Sequence, residues 1–262
     1  MQTGKVVDHI VDWLKLYAVN ARCKGFVIGV SGGIDSAVTS TLCARTGLPL
    51  LCIEMPIHQG TKQVTRADRH IEWMQINFDN VSRKSVSLTP VFDQLVASLP
   101  SVDNEEDRFM SLANTRARLR MTTLYYFAAL KNYLVAGTGN KVEDFGIGFY
   151  TKYGDGGVDL SPIADLLKTE VYELGDYMGI NQDIMEAAPT DGLWGDNRTD
   201  EDQIGASYPE LEWAMAMDDK GKIADDFVGR EREIFEIFKR YNNANRHKMI
   251  PIPVCEIPTS LR

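Results

Sequence analysis

The sequence predicts an α/β protein: a doubly wound parallel sheet followed by a helical C-terminal part. Three observations carry this expectation. Short strand-like runs alternate with segments of helical periodicity through the first half of the chain. The two clearest runs, Phe26–Val30 (FVIGV) and Leu48–Pro56 (LPLLCIEMP), are apolar almost throughout, as expected of parallel strands covered on both faces. From Ile163 onward the pattern is mostly helical.

Taken in order, Val6, Ile10, Val11, Trp13, Leu14 and Tyr17 recur at helical spacing, so residues 4–22 read as the first helix. FVIGV is the first strand and Ile34–Arg45 the helix after it. LPLLCIEMP is the second strand, followed by a helix over Thr61–Met74. Lys84–Leu88 (KSVSL) alternates and reads as the third strand. Glu105–Lys131, dense in Arg, Met and Leu, reads as a long helix, and Asn132–Thr138 (NYLVAGT) as the fourth strand. Helices are expected over Pro162–Met178, Pro209–Met217 and Val228–Asn243. Ala188–Ser207 is rich in Gly, Asp and Thr and reads as a long loop, often the kind that covers a site. Without an internal repeat or low-complexity tract, residues 1–262 read as one domain.

A length of 262 residues with 44% hydrophobic content suffices for a sizeable core. The net charge of −9 disfavours a nucleic-acid partner, whose phosphates call for a basic surface. Magnesium-bound nucleotides stay compatible with it, because local positive groups can serve them. Cys23, Cys43, Cys52 and Cys255 form no CxxC pair and no metal-ligand spacing with His, so Cys43 and Cys52 are expected as buried free thiols. The N-terminal stretch lacks the apolar core of a signal peptide, and no run approaches the ~18 apolar residues of a membrane span. A soluble, cytoplasmic protein without a membrane partner is expected.

In such sheets ligands bind beyond the carboxyl ends of the strands. The unusual stretches after Val30 and after Ala136 fall there. In Ser31-Gly32-Gly33-Ile34-Asp35-Ser36 the glycines let the backbone turn tightly and approach a ligand. The amides opening the next helix then form an anion site, aided by the helix dipole. Ser31 and Ser36 add hydroxyls. Asp35 repels phosphate, so its simplest role is to hold Mg²⁺ that binds phosphate oxygens. The stretch reads as a loop for a metal–polyphosphate complex, and it is neither a Walker A loop nor a GxGxxG fingerprint.

SGGxDS after a strand resembles the pyrophosphate loop of the N-type ATP pyrophosphatases, which adenylate a carbonyl oxygen and let a nitrogen or sulfur nucleophile displace AMP. The longer stretch GTGNKVEDFGIGFYTKYGDGGVDLSPIADLLKTEV, residues 137–171, is similar to the ammonia-dependent NAD⁺ synthetase family within that group. Asn114–Met121 (NTRARLRM), Ala188–Tyr208 and His247–Pro253 (HKMIPIP) resemble, in order, its Arg-rich helix, its substrate-covering loop and its C-terminal HK motif. The resemblance covers nearly the whole chain and implies a Rossmann-like fold of the adenine nucleotide alpha hydrolase-like type.

It also implies roles. Glu143 joins Asp35 as a metal carboxylate. Ser31, Gly32, Gly33, Ser36 and Thr138 bind ATP, with Lys168 and Thr190 on its phosphates. A Lys at 168 could stabilise departing pyrophosphate, where negative charge develops. Phe149, Lys152, Asp155, Asp159, His247 and Lys248 match residues that hold deamido-NAD⁺. Arg118 would pair with a phosphate or carboxylate, as a planar guanidinium suits; Arg116 and Arg120 face other directions on the helix. His9, His58 and His70 read as structural. The implied partners are ATP with Mg²⁺, deamido-NAD⁺ and ammonia, in a homodimer with the substrate site at the interface.

The chain departs from the family in three places. A bacterial branch carries GTDHxxE where this chain has GTGNKVE. Glu143 to Gly148 is one residue longer than the family spacing, which leaves the register of Phe149 open. EMPIHQ (Glu54–Gln59) lacks an Arg beside Pro56, which leaves the adenine-side contacts open. These residues hold no amidotransferase nucleophile, so ammonia is used free or supplied by a partner. The expected activity is ATP-dependent amidation of deamido-NAD⁺ to NAD⁺ through an NAD-adenylate, with release of AMP and pyrophosphate. Two other readings are a ligase for a different carboxylate and a nucleotide-binding sensor without turnover.

Overall fold

The computed structural model describes residues 1–59, 61–189 and 199–262, residues 61–64 by their backbone alone. Four strands, β1 (Phe26–Gly29), β2 (Leu50–Glu54), β3 (Val81–Ser85) and β4 (Leu134–Val135), form one sheet in the order β3-β2-β1-β4. All three pairings are parallel, with Phe26 beside Leu50 and Leu134. The chain therefore steps outward from β1 to β3 and returns to the other side of β1. The crevice beyond the carboxyl ends of β1 and β4 is the switch point where ligands bind in such sheets.

The apolar strands serve two cores at once, because successive side chains point to opposite faces. Phe26, Ile28, Leu50 and Cys52 face a cluster shared with α1 (Thr3–Asn20), α2 (Ile34–Arg45), α3 (Thr61–Asn77) and α6 (Lys168–Met178). Val27, Leu51 and Ile53 face the other, with α4 (Thr89–Ser98) and α5 (Glu105–Lys131). Each fully buried Phe, Ile or Leu contributes about 1.5–3 kcal/mol relative to exposure. A third cluster unites Val142, Ile147, Tyr208 and Phe238. It packs α9 (Tyr208–Asp219) and α10 (Gly229–Met249) against the segment after β4 and includes Ile204 of the short helix α8 (Asp200–Ile204), whereas the short helix α7 (Gln182–Met185) joins the first cluster through Ile184.

Several sequence expectations shift. The third strand is Val81–Ser85, three residues before KSVSL. It is an edge strand with only Val81 buried, so it carries little hydrophobic alternation to read. α4 was not expected: it starts with a proline in its first turn and buries only Phe92. The fourth strand pairs over Leu134–Val135, and Ala136 adds a single parallel bridge to Leu160. The sixth helix starts at Lys168, since residues 162–165 form turns and Leu167 is an extended N-cap. Of the long loop, residues 190–198 lie outside the described part, and α8 occupies Asp200–Ile204. Cys43 and Cys52 are buried free thiols. Among the described residues no helix is long and apolar enough to cross a membrane.

The stretch from Glu143 to Gly148, whose spacing left the register of Phe149 open, takes an uncommon form. Val142–Ile147 is a π-helix, whose wider turn takes up one residue more than an α-helical turn. It ends at Gly148 in the left-handed region (φ 63°), where a Cβ would fall 2.5 Å from Cβ of Asn245 on α10. Phe149 closes the turn by donating its amide to the Glu143 carbonyl (2.8 Å).

Candidate active site

The glycine loop follows β1 directly. Gly32 adopts φ +83°, and Gly33 is the N-cap of α2. The Ser36 hydroxyl donates to the Gly33 carbonyl (3.0 Å) and accepts the Ser31 amide (3.2 Å), which holds the loop closed. Arg66 on α3 donates to the Gly32 carbonyl (3.1 Å). The first-turn amides of α2 have no intrahelical acceptor and face the crevice, as an anion site requires.

Three charged groups from distant parts of the chain meet beside this loop. Asp35 stands in the first turn of α2, Glu143 in the π-helix and Lys168 at the start of α6. The Lys168 ammonium, 3% exposed, donates to Asp35 Oδ2 (2.5 Å) and Glu143 Oε1 (3.0 Å). Burial opposes the ammonium, but the two carboxylates outweigh it and raise its pKa, so Lys168 stays charged. Burial also works to raise Glu143. The Lys168 ammonium and the Tyr208 hydroxyl overcome it and hold this carboxyl below its ordinary value. At Asp35 burial prevails and raises the pKa.

Tyr208 closes the cluster. Its hydroxyl donates to Glu143 Oε1 (2.5 Å) and lies 3.4 Å from Asp200 Oδ2. The Lys168 ammonium sits 4.8 Å from its ring centroid. Burial, then the Glu143 and Asp200 charges, raise the phenol, which stays protonated and donates. Asn140, wholly buried, donates to Asp35 Oδ1 (3.1 Å). Two carboxylates converging on one cation are also a fit for Mg²⁺, with the ammonium as a stand-in. Among the described residues no cluster of three or more His, Cys, Asp or Glu could hold a metal alone, so phosphate oxygens would complete the shell.

A cavity of about 800 Å³ runs from this cluster. Its lining includes Asp35, Glu143 and Lys168 with Ser31, Gly33, Ser36 and Thr138, and also Phe149, Asp155 and Lys248. Lys248 donates to the carbonyls of Gly148 and Tyr150, and burial lowers its pKa. Asp155 accepts the Thr151 amide (3.1 Å). A smaller cavity of about 200 Å³ adjoins at Ser31, Met55 and Arg83. Arg83 pairs there with the buried Glu54 (2.6 Å) and with Asp68.

The other expected residues lie outside the cavity lining. Arg118 donates to the Lys152 carbonyl (3.3 Å), and Lys152 Nζ to the His247 carbonyl (2.9 Å), knitting α5 to the glycine-rich loop and α10. Asp159 is taken up by the Val135 amide (2.7 Å) and the Tyr125 hydroxyl (3.0 Å), which anchors β4. Thr190 lies outside the described residues. Arg120, two positions from Arg118 and thus on another side of α5, is the α5 arginine that lines the cavity, with Arg66 of α3. It donates to the Met55 carbonyl (3.1 Å), and burial lowers it to about 10. Sequence reasoning also passed over Asn140, Asp144 and Tyr208. Asp144 lines the cavity, and burial, then Glu143, Asp155 and Asp35, raise it to about 8. Its one signal was its place beside Glu143.

Comparison with known proteins identifies the family of this chain. Residues 6–251 match the family model described as NAD synthase. The NH(3)-dependent NAD(+) synthetase of Carboxydothermus hydrogenoformans is 37% identical, covering 85% of this chain and 89% of that protein. The solved structure of NMN synthetase from Francisella tularensis superposes with a TM-score of 0.84 at 32% identity, covering 99% of both chains. An NH3-dependent NAD synthetase from Campylobacter jejuni, solved with nitrate, gives a TM-score of 0.77 at 26% identity, covering 98% of this chain and 100% of that one.

Proposed function

Because the chain belongs to the NAD synthase family, we propose that it amidates deamido-NAD⁺ to NAD⁺ with ATP and ammonia, the final step of NAD⁺ biosynthesis. The observation that carries this reading is the convergence of Asp35, Glu143 and Lys168 beside the glycine loop, in the lining of a cavity large enough for two ligands.

ATP lies with its phosphates on Ser31–Ser36 and Thr138, and its adenine toward the smaller cavity at Met55. Asp35 and Glu143 hold Mg²⁺, which supplies charge neutralisation to the polyphosphate. The pyridine nucleotide lies between Phe149, Asp155 and Lys248. A nicotinate carboxylate oxygen attacks the α-phosphorus, the α–β bridging P–O bond breaks, and pyrophosphate leaves with that electron pair. The α2 amides and Lys168 stabilise the developing charge. Ammonia then attacks the acyl carbon, the bond to AMP breaks, and the nitrogen loses a proton as the amide forms. Adenylation turns a poor leaving oxygen into a good one, so no covalent enzyme intermediate is needed.

The reading includes a homodimer with the pyridine nucleotide across its interface. Exposed Met110, Tyr126 and Leu130 on α5 and Ile252 and Val254 near the C-terminus support that part. A cytoplasmic location goes with the ATP and pyridine nucleotide consumed. The likeness to the Francisella NMN synthetase favours a second reading, in which the carboxylate belongs to the mononucleotide. The same lining at Phe149 would receive its nicotinate ring.

The test is a coupled assay with ATP, Mg²⁺ and ammonium or glutamine, offering deamido-NAD⁺ and nicotinate mononucleotide separately. NAD⁺ and AMP from the dinucleotide with ammonium support the first reading. A higher kcat/KM for the mononucleotide selects the second. Neither amide, from protein that binds ATP, overturns both.

A further inference from the structure

Asn140 joins the two carboxylates. Its side chain is wholly buried. Oδ1 accepts the amides of Val142 and Glu143, each at 3.1 Å, and so caps the π-helix that carries Glu143. Nδ2 donates to Asp35 Oδ1 at 3.1 Å, across 105 residues of chain. The orientation of the amide is forced: two N–H donors face one end and a carboxylate faces the other. Lys168 holds the opposite oxygen, Asp35 Oδ2 (2.5 Å), so both oxygens of Asp35 are fixed by groups that also bear on Glu143.

We propose that Asn140 is a positioning residue: one amide sets the separation and aim of Asp35 and Glu143 by bonding to the first and capping the turn of the second. The proposal rests on the reading that this pair holds the nucleotide-bound divalent cation. A residue that caps a turn for folding alone has no need of a donor aimed at Asp35. Asparagine meets both requirements with one acceptor and one donor. Histidine also has one of each in its neutral form.

The test separates folding from positioning. N140A loses both functions. N140D keeps the acceptor for the two amides but turns a donor into a charge facing Asp35. N140H can restore an acceptor and a donor. Three properties are read on the purified chain: thermal melting, Mn²⁺ affinity in the presence of ATP by electron paramagnetic resonance, and the Mg²⁺ dependence of kcat. N140A is expected to bind Mn²⁺ about tenfold or more weakly on its folded fraction, with kcat lowered and N140H intermediate; N140D, which sets a second buried carboxylate against Asp35, is expected to melt earlier. Variants that melt earlier, with Mn²⁺ affinity of the folded fraction within about threefold of wild type, would assign Asn140 to folding alone and overturn the proposal. Because Mn²⁺ binding is read without turnover, it decides this point even if the wild-type chain amidates neither pyridine nucleotide.

Discussion

The carboxylate of Asp144 fills the space that a side chain on Gly139 would occupy. A Cβ on Gly139 would fall 2.1 Å from Asp144 Oδ2. Position 139 is bare, and the π-turn delivers the carboxylate of Asp144 into that space. The relationship explains why the chain combines a glycine at 139 with an acid at 144.

The first prediction follows from that contact. G139A should displace Asp144 and lower stability by about 1–3 kcal/mol, as overpacking does. G139D should cost more, because it adds a like charge at contact. The exchanged pair G139D/D144A should recover most of that loss. Urea denaturation of the three variants checks this; a pair no more stable than G139D would refute the shared space.

Lys168 neutralises two carboxylates in a site nearly closed to water, so K168M should leave both uncompensated. A loss of about 3–5 kcal/mol is expected, as when one partner of a buried ion pair is removed. Turnover should fall with it. Mg²⁺ with ATP should raise the melting temperature of K168M more than that of wild type, since a cation then restores the missing charge. Equal shifts in differential scanning fluorimetry would contradict the convergence.

Tyr208 can be tested with its ring intact. Y208F keeps the aromatic face under Lys168 but leaves Glu143 without its donor. The expected loss is about 1.5–3 kcal/mol, the range for hydrogen bonds to charged groups. Glu143 should also become easier to protonate, so the acid limb of kcat against pH should move upward. An unchanged acid limb would remove Tyr208 from the site's electrostatics.

His70 predicts an acid weakness outside the cavity lining. It is buried against Trp73, bonds Ser40 Oγ through Nε2 (3.0 Å), and burial lowers its pKa from 6.5 to about 4. Between those two values the unfolded chain binds the proton and the folded one does not. Stability is therefore lost as pH falls from about 6.5 to about 4, by up to about 3 kcal/mol from this group. H70F should flatten that part of the stability curve; parallel curves for the two proteins would rule the group out.

The sequence by itself determined the parts that are local. An apolar run ending in SGGIDS makes a strand, a glycine turn and a helix start, because backbone freedom and hydrogen-bond needs are decided within a few residues. The stretches of α2, after the glycine turn, and of α5, dense in Arg, Met and Leu, likewise carry their observed boundaries. Asp35, Glu143 and Lys168 stood out because their neighbours form long motifs. Tertiary structure decided what depends on meetings across the chain. Strand β3 is set by pairing with β2 and by the Arg83–Glu54 contact, not by its own weak alternation. The segment after Glu143 forms a π-turn against which α10 packs, and that packing fixes where Gly148 must be. Asn140, Asp144, Arg120 and Tyr208 have no local signature of function. They acquire one only when burial leaves each a charged or hydrogen-bonding neighbour in place of water, and those neighbours come from elements brought together by packing.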